Sequence, residues 1–443
     1  MKKLFGTDGI RELATNDIFK RGSLNILSKA ILGNGKYKKI VLGRDTRKSS
    51  PIIEKIFVES LKNQGAHIYL LGLISTPALS YLTKRLNCDL GIIISASHNL
   101  YQFNGIKFFN KNGEKLSDKN EKIIENNFFK FNKNKIINLK TGKIINIKQS
   151  KSYYKTNVIS TIKEEKLRNK KVVVDCANGS TYKLAKDIFT KFKIKAILIN
   201  NKPNGTNINS KCGSLHPQNI TKSVKKHSAD FGISFDGDGD RIICCDEKGK
   251  IIDGDKILAC LVKFYKERKI MKINGVVGTI MSNMGLENFV KNLGLNFYRS
   301  PVGDKFVYQL MLKKNCAIGG EQSGHIILRE YSSSGDGILV ALQLLFIISE
   351  LKDKASKIFN LYKPYYQIQK NIKLKDSDKI KDIELKKLMN LYNEKLGNKG
   401  KVLIRASGTE PLIRIFLESK IISIISDLSK YILNSLKKKL RNN

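Results

Sequence analysis

Short apolar runs and amphipathic stretches take turns along most of the chain. Runs at 39–43, 67–71, 90–94, 171–175, 196–199, 231–235 and 275–279 read as strands, several of them apolar on both faces. Stretches around 18–32, 51–64, 77–86, 180–192, 284–293 and 338–351 carry apolar residues at helical spacing, with Pro51 at a first-turn position that favours proline. Alternation of this kind predicts βαβ units and largely parallel sheets. Lysine and asparagine blur the signal over 110–155, where a boundary is expected. From about Tyr365 the order becomes strand, helix (383–396), strand (401–406), strand (411–418), helix (421–440), which predicts a separate α+β domain.

The expected architecture is α/β: three similar α/β domains with mixed, mostly parallel sheets, then a C-terminal α+β domain, with the active site in the central cleft. The boundaries read 1–152, 153–250, 251–364 and 365–443. A length of 443 residues exceeds what one core supports, in keeping with several domains.

Composition narrows the class. Hydrophobic residues make up 41 % of the chain, and no run approaches the roughly 18 apolar residues of a membrane span. Met1-Lys2-Lys3 leads directly into Phe5-Gly6-Thr7-Asp8-Gly9 without a secretory apolar stretch, so a cytoplasmic protein with no membrane partner is expected. Seven cysteines show no C-x-x-C spacing, which predicts reduced, buried thiols rather than disulfides or zinc.

A net charge of +42 ordinarily points to nucleic acid. Here only 13 of the 81 basic residues are arginine, and the lysines are spread evenly among Asn and Ile. That pattern reads as compositional drift, not as a binding face for a specific nucleic acid. Six arginines (Arg11, Arg44, Arg47, Arg241, Arg405, Arg414) fall in Gly-, Asp- and Ser-rich loops, where a planar fork suits carboxylate or phosphate. A phosphorylated small molecule is therefore the favoured partner.

Four loops carry candidate chemistry. Ser95-Ala96-Ser97-His98-Asn99 follows the strand at 90–94; alone, Ser97 reads as a helix cap, and beside the other loops as a nucleophile. Asp236-Gly237-Asp238-Gly239-Asp240-Arg241 sets three carboxylates on alternate residues, spaced by glycines that let the backbone curl around one hard cation, Mg²⁺ rather than Ca²⁺. Gly319-Gly320-Glu321-Gln322-Ser323-Gly324-His325 mixes donors and acceptors in the manner of a sugar-hydroxyl site. Arg405-Ala406-Ser407-Gly408-Thr409-Glu410-Pro411, with Arg414 beyond, reads as a phosphate cradle. Nucleophile, metal loop, sugar loop and phosphate cradle together predict phosphoryl transfer on a phosphosugar.

These loops, with 5–11, 43–50, 104–107 and 207–217, resemble in order those of the α-D-phosphohexomutases. The segments Glu321–His325 and Asn207-Ile208-Asn209…Cys212-Gly213-Ser214…His216-Pro217 look like the branch that acts on glucosamine phosphates. The resemblance implies an isomerase that interconverts glucosamine 6-phosphate and glucosamine 1-phosphate for the UDP-N-acetylglucosamine pathway, as monomer or homodimer. Ser97 would be the phosphoserine, with a hexosamine or glucose 1,6-bisphosphate as intermediate or activator. Mg²⁺ would be held by Asp236, Asp238, Asp240 and the Ser97 phosphate. Arg11 and Lys107 would handle the hydroxyl proton, Lys107 through a pKa depressed by burial or neighbouring cations, and His98 would position the serine. Arg241, Glu321, Ser323 and His325 would bind the sugar, and Arg405, Ser407, Gly408, Thr409 and Arg414 the phosphate that is not transferred.

Leu100 stands where the family usually has proline, and Pro301 where relatives often carry a basic residue. The neighbouring readings are a phosphoglucomutase or phosphomannomutase and, from another class, a basic nucleic-acid-binding pseudoenzyme.

Overall fold

The structure, a computed structural model, describes residues 3–6, 8–33, 35–130, 141–162, 167, 170–374, 382–406 and 412–441. These residues form two compact units: 1–281 with 293–361, and 282–292 with 362–443.

The larger unit contains three mixed sheets. The first holds β1 (Ile10–Leu13), β2 (Lys39–Arg44), β3 (His67–Leu73), β4 (Leu90–Ile94), β5 (Phe103–Asn110) and β6 (Ile144–Asn146), in the order β1-β5-β4-β2-β3-β6. The second holds β7 (Lys171–Asp175), β8 (Lys195–Ile199), β9 (Phe231–Phe235), β10 (Ile242–Asp246) and β11 (Ile251–Ile252), in the order β11-β10-β9-β7-β8. The third holds β12 (Gly275–Thr279), β13 (Asn296–Ser300), β14 (Ile318–Gly320) and β15 (Ile326–Leu328), in the order β13-β12-β14-β15.

The three sheets share one plan. In each, three neighbouring strands run parallel (β4-β2-β3, β9-β7-β8, β14-β12-β13) and the first of them turns back into an antiparallel partner, β5, β10 or β15. The repetition expected from the alternating pattern is thus present in strand order. It also places the Ser97, Asp236 and Glu321 loops at equivalent points, each at the carboxyl end of the strand where the sheet changes direction. Open α/β sheets hold ligands at such ends because neighbouring connections diverge there.

The inner parallel strands β4, β9 and β12 are buried at all five residues, and this explains their unbroken apolar runs. One core packs Leu24, Leu27 and Ile31 of the helix Arg21–Leu32 and Phe57 and Leu61 of the helix Ser50–Asn63 against Ile40, Ile68 and Ile92 of the first sheet. All seven cysteines are free and buried.

The hydrophobic pattern predicts neither β10 nor the helices Gly254–Glu267 and Asp304–Lys314. Ile251, expected to open the third domain, lies in β11 and pairs with Cys245 in the second sheet. Within the blurred stretch, 118–130 and 150–159 are helical and 144–146 forms the edge strand β6. Their burial is slight; in the helix Asp118–Lys130 only Ile124 is buried, so little apolar periodicity was needed.

The smaller unit carries an antiparallel sheet of β16 (Tyr366–Lys373), β17 (Gly400–Ala406) and β18 (Leu412–Ser419), with the helices Asp382–Leu396 and Ile422–Arg441, in keeping with the α+β expectation. Its core joins Val402, Ile404, Ile413, Ile415 and Leu417 of the sheet to Leu385, Ile425 and Ile432. The helix Met284–Asn292, although it sits in sequence between β12 and β13, groups with this unit, where Met284 N–H donates to Glu418 Oε1 at 2.9 Å.

Candidate active site

β4 ends at Ile94, and the chain turns through Ser97 into β5. No helix follows, so Ser97 is not a helix cap. It is 1 % exposed and adopts a left-handed backbone (φ 49°), a conformation that a residue with a Cβ takes only when its surroundings impose it. Its N–H donates to Ser95 Oγ at 3.0 Å, and its Oγ donates to Asp236 Oδ2 at 2.8 Å. His98 Nδ1 lies 3.2 Å from the same Oγ. Burial, together with Arg241, Arg11 and Lys107, pulls the His98 pKa down to about 3, so its ring is neutral. Asn99 Oδ1 accepts from Arg11 Nη1 at 3.2 Å.

β9 delivers the three aspartates, and all of them are buried. One carboxylate oxygen from each lies within 4.8 Å of the others. Asp236 Oδ1 accepts from the N–H groups of Gly239 (3.0 Å) and Arg241 (3.2 Å), which curls the loop. Asp238 Oδ2 accepts from Thr76 Oγ1 at 2.6 Å and Lys107 Nζ at 2.9 Å. Asp238 Oδ1 and Asp240 Oδ1 are buried without a hydrogen-bond donor. Burying carboxylate oxygens in this way is costly unless a cation meets them. Burial, then Asp240 and Asp238, drives the Asp236 pKa well up. Three convergent carboxylates with open oxygens fit a hard divalent cation.

Lys107, on β5, is 1 % exposed, and its Nζ contacts Asp8 (3.0 Å), Asp238 (2.9 Å) and Asp240 (3.1 Å). Depression of its pKa, expected from the sequence, is not what this geometry produces. Burial does push the ammonium down, but the carboxylates of Asp238, Asp240 and Asp8 outweigh it and hold Lys107 well above its ordinary value. Asp8 also receives Arg11 Nη2 at 2.9 Å and Lys115 Nζ, tying both proton-handling candidates to one carboxylate.

The loop after β14 brings Glu321 and His325 into the same unit. Glu321 is 7 % exposed and accepts Gly303 N–H at 2.9 Å, while Ser323 is exposed. His325 is buried, with Nε2 3.1 Å from Asp304 Oδ2 and Nδ1 3.8 Å from Asp240 Oδ1. Although burial opposes it, these two carboxylates raise its pKa. His325 therefore faces the carboxylates of Asp304 and Asp240, a different setting from the sugar-hydroxyl contact expected of it. The Arg241 guanidinium leaves its Nε buried without an acceptor.

In the smaller unit, Arg405 of β17 and Arg414 of β18 are directly paired across the strands, and both are exposed. Ser407, Gly408 and Thr409 lie outside the described residues.

Besides Arg11, two more of the six loop arginines grip the protein itself. Arg44 Nε donates to Glu54 at 2.9 Å, and Arg47, fully buried, binds Asp45 and three loop carbonyls. The sequence assigns no role to Asp8, Thr76, Lys115, Asn209 or Asp304, yet each joins the network. Their signal was thin, since each is a common residue whose meaning depends on a partner far along the chain. Among the described residues, no helix is long and apolar enough to cross a membrane.

Comparison with known proteins covers nearly the whole chain. Family profiles described as "Phosphoglucomutase/phosphomannomutase, alpha/beta/alpha domain" I, II and III match residues 2–135, 151–249 and 253–365, and the profile for the "C-terminal domain" matches 370–428. The chain is 40 % identical over 432 residues to the phosphoglucosamine mutase of Caldicellulosiruptor bescii, covering 95 % of each chain. It is 42 % identical over 428 residues to that of Caldicellulosiruptor saccharolyticus, again covering 95 % of each. Its fold matches a phosphoglucomutase/phosphomannomutase family protein from Burkholderia thailandensis, with TM-score 0.84, 19 % identity and coverage of 99 % and 98 %. It also matches N-acetylphosphoglucosamine mutase of Aspergillus fumigatus in complex with GlcNAc-6P and magnesium, with TM-score 0.68, 16 % identity and coverage of 99 % and 96 %.

Proposed function

The chain belongs to the phosphoglucomutase/phosphomannomutase family, and from that premise we propose that it is a phosphoglucosamine mutase, an isomerase that interconverts glucosamine 6-phosphate and glucosamine 1-phosphate and feeds the UDP-N-acetylglucosamine pathway. The observation that carries this reading is the approach of Ser97 Oγ to Asp236 beside two carboxylate oxygens that lack a donor. A serine nucleophile against a cation site is what phosphoryl transfer requires. The curated relatives' names supply the sugar.

In this reading Ser97 carries a phosphoryl group. Its Oγ–P bond breaks as a bond forms from phosphorus to O1 of glucosamine 6-phosphate, and the O1 proton is taken up in the site. The resulting 1,6-bisphosphate turns over. Ser97 Oγ then receives the other phosphoryl group from O6, and O6 gains a proton. Lys107, held charged by Asp8, Asp238 and Asp240, enters as the acid of the pair: it releases a proton to a leaving oxygen and recovers one from the attacking hydroxyl. Arg11, fixed by Asp8 and Asn99, adds positive charge beside the transferring group. Neutral His98 holds the serine oxygen in place.

Asp236, Asp238, Asp240 and the Ser97 phosphate would hold Mg²⁺, which neutralises charge on the transferring group. Glu321, Ser323 and Arg241 are assigned to the sugar, and Arg405, Ser407, Gly408, Thr409 and Arg414 to the other phosphate. We place the enzyme in the cytoplasm. The four domains are assigned to 1–152, 153–252, 253–364 and 365–443, the second expected boundary of 250 moving by two residues to keep β11 with its sheet.

Two measurements test this together. Intact-mass analysis should find one phosphate on the wild-type chain, located at Ser97. A panel of glucosamine, glucose and mannose 6-phosphates should give the highest kcat/KM for glucosamine 6-phosphate; a clear glucose or mannose preference overturns the substrate assignment.

A further inference from the structure

Arg47, from the first α/β repeat, and Asn209, from the second, converge on the backbone of the Ser97 loop. Arg47, on the loop after β2, is fully buried. Its Nε donates to Asp45 Oδ2 at 2.8 Å and its N–H to Asp45 Oδ1 at 3.0 Å, while Ser50 Oγ steadies the same carboxylate at 2.8 Å. With that edge of the guanidinium fixed, the remaining donors reach three carbonyls: Nη2 bonds Ser97 O (2.9 Å) and Asn99 O (2.8 Å), and Nη1 bonds Leu100 O. Asn209 belongs to the loop between β8 and the helix Gln218–His227, in the second α/β repeat. It is 3 % exposed, and its Nδ2 bonds Ser97 O at 2.8 Å and Asn99 O at 2.9 Å.

Two carbonyls thus receive two donors each, one from each repeat. Their alignment accompanies the left-handed turn at Ser97 (φ 49°), which an isolated loop would not keep without glycine. The metal loop closes on the same group. A Cβ at Gly237 would stand 2.7 Å from Asn209 Nδ2 and 2.8 Å from Ser97 O, so only glycine lets the aspartate loop approach.

We propose that Arg47 and Asn209 are positioning residues: a clamp of side-chain donors on the carbonyls of Ser97 and Asn99 that aims Ser97 Oγ at the aspartate loop and makes this aim depend on the docking of the second repeat against the first. The inference rests on the reading of Ser97 as the phosphoryl carrier.

The test uses the full-length chain with Asn209→Gly and Asn209→Asp. Asn209 itself has a left-handed backbone (φ 57°), which glycine tolerates while losing the donor. Aspartate keeps the shape but turns an acceptor toward two carbonyls. Positioning predicts a fall in kcat of roughly 10- to 100-fold, with KM for glucosamine 6-phosphate within about twofold and the aspartate variant the slower. Arg47→Lys, which cannot span three carbonyls, should fall in kcat likewise. Unchanged kcat in both Asn209 variants overturns the clamp. So does a faster aspartate variant, which would make volume rather than the donor the cause, or a rise in KM alone, which would make Asn209 a substrate ligand. If the glycine variant does not fold, as judged by thermal melting and gel filtration, the near-isosteric aspartate variant carries the comparison with wild type. Lack of phosphate on wild-type Ser97, by contrast, overturns the reading beneath the clamp, whatever the variants do.

Discussion

Ser97 Oγ lies 2.8 Å from Asp236 Oδ2, a contact between residues 139 apart in the chain. The first and second repeats each supply one partner, so neither holds a complete site alone. This contact makes the serine something other than a loop residue, and the first prediction follows from it.

Ser97→Ala removes the nucleophile and leaves the buried carboxylate of Asp236 without its hydroxyl donor. Turnover should fall to background, and intact mass should lose the phosphate seen on wild type. Serine already carries its Cβ in this left-handed backbone, so alanine adds no backbone strain there; loss of the donor to Asp236 should lower stability by about 1–3 kcal/mol and leave the fold intact. An active, unphosphorylated Ser97→Ala protein would exclude covalent catalysis.

The three aspartates repel one another where two of their oxygens have no donor. Mg²⁺ should therefore raise the melting temperature of the wild-type chain, and chelation should abolish activity reversibly. Asp238→Asn, which removes a ligand charge, should weaken Mg²⁺ affinity by more than the roughly 10- to 100-fold that loss of a supporting group costs, measured as the metal concentration that restores half of the activity. A melting temperature indifferent to Mg²⁺ in the wild type would remove the metal assignment.

Asp336 provides a pH dependence with a definite sign. It caps the helix Gly337–Leu351 through Leu339 N–H at 3.0 Å and accepts Tyr154 Oη–H at 2.7 Å. Burial raises its pKa to about 6. The folded state therefore holds the proton more tightly than the unfolded chain. The stability this contributes is fully present below the unfolded carboxylate pKa of about 4 and is lost as pH rises through about 6, a change of about 3 kcal/mol. Asn is also a good helix cap, so Asp336→Asn should flatten that part of the stability profile between pH 4 and 7. Denaturant unfolding across this range checks it; an unaltered slope would mean that Asp336 ionises freely.

Gly105, on β5, faces Ser95 across the sheet. A Cβ there would stand 2.5 Å from Ser95 O and 2.7 Å from Ile10 O, both backbone atoms that cannot swing aside. Gly105→Ala should destabilise the chain by about 1–3 kcal/mol and, by pushing the Ser95–Asn99 loop, reduce kcat more than KM. Thermal melting and steady-state kinetics read the two effects separately.

Much of this protein follows from its sequence. The apolar runs at 90–94, 171–175, 231–235 and 275–279 are strands at those bounds, because a strand covered on both faces must be apolar throughout. The aspartates at 236, 238 and 240 do meet in one buried carboxylate cluster, as alternate carboxylates spaced by glycines lead one to expect. Less was legible where burial is one-sided or slight, as in the helix Asp118–Lys130, or where a strand belongs to the sheet before its apparent domain, as β11 does.

Only the tertiary structure decided what the common residues do. It made Lys107 a charged partner of three carboxylates, since the Coulomb attraction of neighbours brought from Asp8 and the metal loop outweighs the burial that the sequence led one to weigh first. It turned Arg47 inward onto carbonyls, set His325 between Asp304 and Asp240, and brought Asn209 to the serine loop. Chain composition and periodicity specify what each segment buries, because burial is a local average over a face. Which two side chains meet across more than a hundred residues is set by how the repeats pack, and the direction of a pKa or the aim of a nucleophile is fixed only there.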